Sequence, residues 1–328
     1  MKQDQNRIPV SAKVLYEDFK RQDNRISGKI HRFLDAGEQD IYNPSVPFDL
    51  NGVTYIAGRV ESREEERSKV VFFKKEETGW RLCKEAMTFE LQDPFVTFID
   101  DELILGGVRV DWDEATGYAR AWYTDFYRGT SLNNLTLFAS GPKQMKDIRL
   151  VQLKDRRIGI FTRPQGQEML DKYGCIAKVG FTVADTLEDV TAETIKNAPF
   201  LEGLFLPEEW GGCNQIHLLK DGNLGVIGHI AYGEDQGEEK YLHYYGMAFV
   251  MNPVTGERST PRVIIARDCF PEGPAKAPRL KDITFTAGIQ RLDDKKAVIY
   301  TGLSDAQVGS AVIEDPFAGG ENRWEKLK

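Results

Sequence analysis

Apolar residues recur along the chain in short alternating or continuous runs rich in Val, Ile, Phe and Tyr, and Asp, Gly and Asn punctuate them. That is the pattern of strands separated by tight turns. Helical periodicity is confined to a polar stretch over residues 11–22 and a short one over 192–197. The alternation of strand and helix that marks a parallel α/β sheet is absent.

Five of the strand pairs are related. They are YNPSVPFDLNGVTYIAGRVE from Tyr42, QDPFVTFIDDELILGGVRV from Gln92, KDIRLVQLKDRRIGIFTRPQG from Lys146, NQIHLLKDGNLGVIGHIAYG from Asn214 and KDITFTAGIQRLDDKKAVIYTGLSD from Lys281. Each opens near an Asn or Asp, runs through an apolar strand and a polar turn (LNG, DDE, KDR, KDG, LDDK), and returns through a second strand. The openings are roughly 50 to 70 residues apart, enough for a four-stranded blade with loop insertions. The expected fold is therefore all-β, a five-bladed β-propeller over residues 41–328. A two-sheet sandwich also has many short strands, but it gives no reason for one polar residue type to open successive hairpins. The preceding residues 1–40 form an extension, either supplying ISGKIHRF as a closing outer strand or mediating contacts between subunits.

The repeat locates a site. In an antiparallel hairpin the start of the first strand lies beside the end of the second. This sets Asn43 by Arg59, Asp93 by Arg109, Asp147 by Arg163, Asn214 and Gln215 by His229, and Asp282 by Ser304 and Asp305. Inner strands of a propeller converge on its axis, so these ends are expected to form one polar ring.

Charge restricts what the ring binds. With a formal net charge of −8 and a pI near 5.3, the chain lacks the clustered Lys and Arg excess of a nucleic-acid surface. The N-terminal MKQDQNRIPVSAKV has no apolar core and no run of about 18 apolar residues occurs, so neither secretion nor membrane insertion is expected and a cytoplasmic location follows. Cys83, Cys175, Cys213 and Cys269 lack metal-site or disulfide-framework spacing, and no metal or organic cofactor is called for. LGGVRV and WGGCNQ lack the strand-to-helix setting of nucleotide loops and read as close backbone packing.

Carboxylates and amides suit sugar hydroxyls, and Tyr42, Phe95, Trp210, Tyr232, Tyr244 and Tyr245 offer aromatic faces for a pyranose. The guanidinium fork matches phosphate oxygens, so Arg109, Lys146, Arg149 and Arg163 are the candidate phosphate holders. Inverting hydrolysis of a glycoside needs two carboxyl groups, whereas phosphorolysis needs only the acid, because phosphate is already a nucleophile. One acid among several bases suits the second reaction, or its reverse from a sugar phosphate.

Taken together, YNPSVPF, AGRVESREEERSK, LQDPFVTF, MKDIRL, FTRPQG and WGGCNQIHLL resemble the family catalogued as domain of unknown function 1861, over residues 42–317. That family is associated with glycosyltransferase family 108, the β-1,2-mannoside phosphorylases and mannosyltransferases. More distantly, Gln92-Asp93-Pro94-Phe95 is similar to the Glu-Asp-Pro-Arg motif of glycoside hydrolase family 130, five-bladed inverting phosphorylases of mannosides. The resemblance implies that Asp93 is the general acid, its proton passing through a sugar hydroxyl, and that inorganic phosphate is the co-substrate. Gln92 and Phe95 depart from that motif, so phosphate placement does not carry over from it. Asn43, Arg59, Asp147, Asn214, Gln215, His229, Tyr232 and Asp282 are the expected substrate-binding residues.

Two other readings stay open at this point. In a hydrolase, Asp147 or Asp282 acts as base toward water; in a propeller used only for binding, the ring holds carbohydrate without turnover. The sequence leaves linkage, reaction direction and self-association undecided.

Overall fold

The computed structural model describes residues 8–22 and 25–318; the outermost parts of the extension and of the expected propeller domain, 1–7 and 319–328, lie outside the described residues. The protein is all-β. Helix α1 (Ala12–Arg21) carries Ser11 as its N-cap and buries Ala12, Leu15 and Phe19, one face at helical spacing. Two short strands, β1 (Lys29–Ile30) and β2 (Phe33–Leu34), follow.

The first strand group contains β3 (Asp40–Tyr42), β4 (Phe48–Leu50), β5 (Val53–Glu61), β6 (Lys69–Glu76) and β7 (Gly79–Leu82), with β2 added in parallel to β7. The second is the antiparallel meander of β8 (Gln92–Ile99), β9 (Glu102–Trp112), β10 (Ala119–Gly129) and β11 (Thr136–Ser140). The third has β12 (Arg149–Gln152), β13 (Ile158–Thr162) and β14 (Gly180–Ala184), interrupted by α2 (Gln167–Tyr173) and followed by α3 (Ala192–Lys196). The remaining strands form an eight-stranded sheet. One part is β15 (Trp210–Leu218), β16 (Leu224–Gln236), β17 (Glu239–Met251) and β18 (Arg262–Ile265); the other is β19 (Asp282–Arg291), β20 (Lys296–Leu303) and β21 (Gln307–Glu314), with β1 paired antiparallel to β21. Strand pairing joins the two parts where His243 and Tyr244 pair in parallel with Asp282 and Ile283. We call these parts the fourth and fifth groups.

Turn chemistry fixes the hairpins. Asn51 and Gly52, and Asp100 and Asp101, all have positive φ, as a two-residue turn matching the right-handed strand twist requires. The polar openers have a backbone reason too: Asn43, Asp93 and Asp147 stand at φ 41°, 48° and 56°, where Asn and Asp are tolerated and β-branched residues are not.

Apolar burial lies between groups rather than within them. Phe48, Phe72 and Phe89 pack on Leu103, Leu105 and Tyr127. Ile104 and Phe126 meet Ile148, Ile158 and Ile160. Phe161 and Phe181 meet Val226, Met247 and Phe249, with α1 docked on them. Ile227, Ile264 and Ile265 meet Ile289, Ile299 and Ile313. Finally Ile56, Phe73 and Trp80 of the first group pack on Ala287, Tyr300 and Val308 of the fifth. No helix among the described residues is long and apolar enough to cross a membrane.

Candidate active site

Two polar clusters sit where the inner strands of the first four groups begin. The first surrounds Asp93, which is buried. Its Oδ1 accepts from Asn43 Nδ2 at 2.9 Å and from Arg59 Nη1 at 3.1 Å. Arg59 is held in turn by Glu61, with Nη2 to Oε2 at 2.8 Å, and by Ser68 Oγ at 2.8 Å. Glu61 also accepts from Tyr42, Ser68 and Lys276. Burial pushes the Glu61 carboxyl up, but Arg59, Lys276, Ser68 and Tyr42 more than offset it and hold the group below its ordinary range.

Asp305, in the turn between β20 and β21, faces the same cluster. It is half-buried and makes no side-chain hydrogen bond among the described residues. Burial pushes its carboxyl up to about 6; Arg59 opposes the shift and the negative charge of Asp93 adds to it. A carboxyl poised there can hold or release a proton near neutral pH.

The second cluster centres on Asp147. Arg163 Nη1 donates to its Oδ2 at 2.9 Å, and Arg149 Nη2 lies 3.7 Å from Oδ1. Arg163 Nε also donates to the Gly211 carbonyl and Arg149 Nε to the Asn214 carbonyl. His229 Nδ1 pairs with Asn214 Oδ1 at 2.9 Å, and its ring stacks on Tyr244, whose hydroxyl accepts from Trp210 Nε1 at 2.8 Å. Gly212 allows a close approach here, since a Cβ would stand 3.0 Å from His229 Cε1 and 3.3 Å from both Arg163 Cδ and Asp147 Cβ.

Electrostatics define what this second cluster lacks. Burial raises Asp147, but Arg163 and then Arg149 bring it down to about 2, so it is a carboxylate and a poor base. Burial pushes His229 down to about 3, so its ring is neutral. Asp147, Arg149, Arg163 and His229 are each at most 3% exposed. Two buried guanidiniums against one buried carboxylate leave a net positive charge in a desolvated place, and Lys146, half-buried and electrostatically coupled to Asp147 and His229, adds another. Such an excess is costly unless an anion offsets it. Asn43 Oδ1, Asp147 Oδ1 and Asn214 Nδ2 are buried without a hydrogen-bond partner in the protein, which leaves them open to a ligand.

Other expected residues lie elsewhere. Arg109 is paired with Asp125 at 2.6 Å and with the Tyr127 hydroxyl at 3.0 Å, on the side of the second group that faces the first and apart from the Asp147 cluster. Gln215 accepts from the Ile289 backbone and contacts His217, tying the fourth group to the fifth; it lines a 260 Å³ cavity below Arg149 and Phe95. Tyr232 stacks on His243 at 4.6 Å, and Asp282 accepts from His243 at 2.6 Å and Tyr245 at 3.3 Å, beside α1 rather than in either cluster. Glu61 and Lys276 were not singled out for the site by the repeat. Glu61 shares a strand face with Arg59 two residues earlier, which period-two alternation signals; Lys276 sits in a long loop with no local signature. No grouping of three or more metal-binding side chains occurs among the described residues.

With this geometry in place, similarity to known proteins becomes informative. Two solved structures from Leishmania mexicana match with a TM-score of 0.85. MPT-1, a GDP-Man-dependent mannosyltransferase, is 35% identical over 94% of this chain and 96% of its own. MPT-4, a mannose phosphorylase in complex with phosphate ion, is 34% identical over 93% of each chain. The β-1,2-mannobiose phosphorylase of Listeria innocua, 13% identical with a TM-score of 0.59 over 84% of this chain and 90% of that one, shares the fold. Other neighbours of this fold are glycosidases of the propeller class. No curated protein matches the sequence. The family model described as protein of unknown function (DUF1861) matches residues 17–319, and the chain belongs to that family.

Proposed function

We propose that the protein is an inverting phosphorylase of β-mannosides, acting on β-1,2-linked manno-oligosaccharides and inorganic phosphate, and able to run in reverse from mannose 1-phosphate. That it is an enzyme of the glycoside phosphorylase or glycosyltransferase type is supported by MPT-1 and MPT-4 at about a third identity over nearly the whole chain. The observation that carries phosphate as co-substrate is the positive excess of buried Arg149 and Arg163 with half-buried Lys146 around Asp147.

In this reading a phosphate oxygen held by that cluster attacks C1 of the sugar as the C1–O bond breaks on the opposite side. Asp93 supplies the proton that the leaving oxygen takes up, through a sugar hydroxyl. Arg59 and Asn43 orient Asp93 through Oδ1, leaving Oδ2 for the transfer. Asp305 and Asn214 hold sugar hydroxyls, and His229 keeps the floor neutral and shaped. The product is the α-phosphate of the released mannose.

The proposed fold that carries this site is a five-bladed propeller, built in the described residues from 41 to 318. Five interfaces joining each strand group to the next, including the fifth to the first, support it, as does the extension bridging the two ends through β1 and β2. Hydrolysis is disfavoured because Asp147, brought down to about 2 by Arg163 and Arg149, is a poor base toward water and Asp282 pairs with His243 and Tyr245 outside both clusters. Incubation with β-1,2-mannobiose tests the proposal: mannose 1-phosphate should form only when phosphate is present. Equal release of free mannose without phosphate would show a hydrolase, and binding without turnover a non-catalytic propeller.

A further inference from the structure

A cleft of 420 Å³ opens between the first and second strand groups at the edge that carries Asp93. The end of β5, the start of β6, the start of β8 and the end of β9 supply its walls, all on the same side of their hairpins. Gln92, the residue before Asp93, lines it, as does Ser68, which bonds both Arg59 and Glu61. The cleft is therefore lined by the chain neighbour of the acid and by a hydroxyl bonded to Arg59, while the Asp147 cluster belongs to the third and fourth groups.

Position and chemistry agree on an occupant. In an inverting displacement the nucleophile and the leaving group stand on opposite faces of the sugar, and an acid that relays its proton through a sugar hydroxyl stands within one hydroxyl of the leaving oxygen. With phosphate by Asp147 and the proton relayed from Asp93, the leaving sugar lies on the side of the pyranose away from the third and fourth groups. The cleft occupies that side. Its volume falls within the range of about 300–1,000 Å³ typical of small-molecule sites. Glu65, Glu66 and Glu90 balance Arg67, Lys69 and Arg109 along its walls, and Arg67 and Arg109 are already paired with Glu114 and Asp125. A charge-balanced wall does not select an anion; with half-buried Trp112 beside it, it suits a neutral pyranose.

We propose that this cleft is the subsite for the leaving sugar and the sugars beyond it, with Trp112 as stacking platform and Gln92 and Arg109 as hydrogen-bond donors to hydroxyls. The inference rests on the phosphorylase reading for its direction, and it assigns Arg109 to the acceptor rather than to phosphate.

Calorimetric titration of the whole protein with β-1,2-mannotriose, and separately with inorganic phosphate, provides a test independent of turnover. Trp112→Ala should weaken mannotriose binding about tenfold and leave phosphate binding within twofold, with Trp112→Phe recovering most of the loss. In the synthetic direction the KM for the acceptor should rise in Trp112→Ala while that for mannose 1-phosphate holds. Unchanged mannotriose binding in a folded Trp112→Ala protein, or equal loss of both ligands, overturns the assignment. Mannotriose binding that depends on Trp112 without any turnover by the wild-type protein would support the subsite and reject the phosphorylase.

Discussion

Lys276, in the loop before the fifth strand group, reaches Glu61 at the end of β5 in the first, and so ties residues 215 positions apart beside the acid. Its ammonium also donates to the Glu65 carbonyl at 2.8 Å. Glu61 is thereby the counter-charge of two cations, Arg59 and Lys276, and is fully enclosed.

Replacing Glu61 by Gln should be costly, because both cations lose their buried partner while remaining in place. Breaking a buried ion pair from one side typically costs about 3–5 kcal/mol. A fall in Tm of several degrees, together with loss of activity as Arg59 releases Asp93, is expected from thermal unfolding and rate measurements. A Glu61→Gln protein as stable as wild type would remove Glu61 from this role.

Lys146 gives the complementary case. It is half-buried and makes no hydrogen bond among the described residues, so Lys146→Ala should leave stability within about 0.5 kcal/mol, as at an ordinary surface position. The KM for phosphate should rise about tenfold, the loss of one charge-assisted hydrogen bond worth about 1.5 kcal/mol. A phosphate titration of initial rates distinguishes this from an unchanged KM, which would take Lys146 out of the anion site.

Asp305 predicts a pH dependence. An unfolded carboxyl ionises near 4, whereas in the fold burial beside Asp93 delays ionisation to about 6. Between those values the folded state keeps a proton that the unfolded state has lost, so raising the pH favours unfolding and the cost is complete above about 6. Asp305→Asn cannot ionise and should raise Tm relative to wild type more at pH 7.5 than at pH 4. The kcat/KM profile of wild type should show a group titrating near 6 that the variant lacks; an identical Tm difference at both pH values would contradict the assignment.

Much of this was legible in the sequence because hairpins express themselves locally. Asn51-Gly52 and Asp100-Asp101 announce their turns, and the repeat of polar openers places Asn43, Asp93 and Asp147 at or beside strand ends, while Asn214 falls at a bulge within β15. Part of that repeat reflects backbone conformation, since three of the openers occupy left-handed φ. Asp282 shows the limit of the pattern. It opens its strand as the others do, but β19 first runs beside β17, so its carboxylate meets His243 and Tyr245 instead. Arg109 stands apart from the Asp147 cluster for a related reason: strand position gives the edge of the sheet but not which neighbouring group the side chain faces, and its companion, Asp125, lies on the next strand. Lys276 depends on a loop crossing between distant groups, which no local spacing encodes.

In the proposed reaction Asp93 donates a proton across a sugar from phosphate held by the Asp147 cluster. Following β-1,2-mannobiose and phosphate by NMR with wild-type and Asp93→Asn proteins tests it most directly. α-Mannose 1-phosphate is expected from the wild type, and a rate lower by about 10²–10⁴-fold in the variant with phosphate KM unchanged, the usual contribution of a positioned acid. A β-phosphate product, or an Asp93→Asn protein that turns over at the wild-type rate, would contradict it.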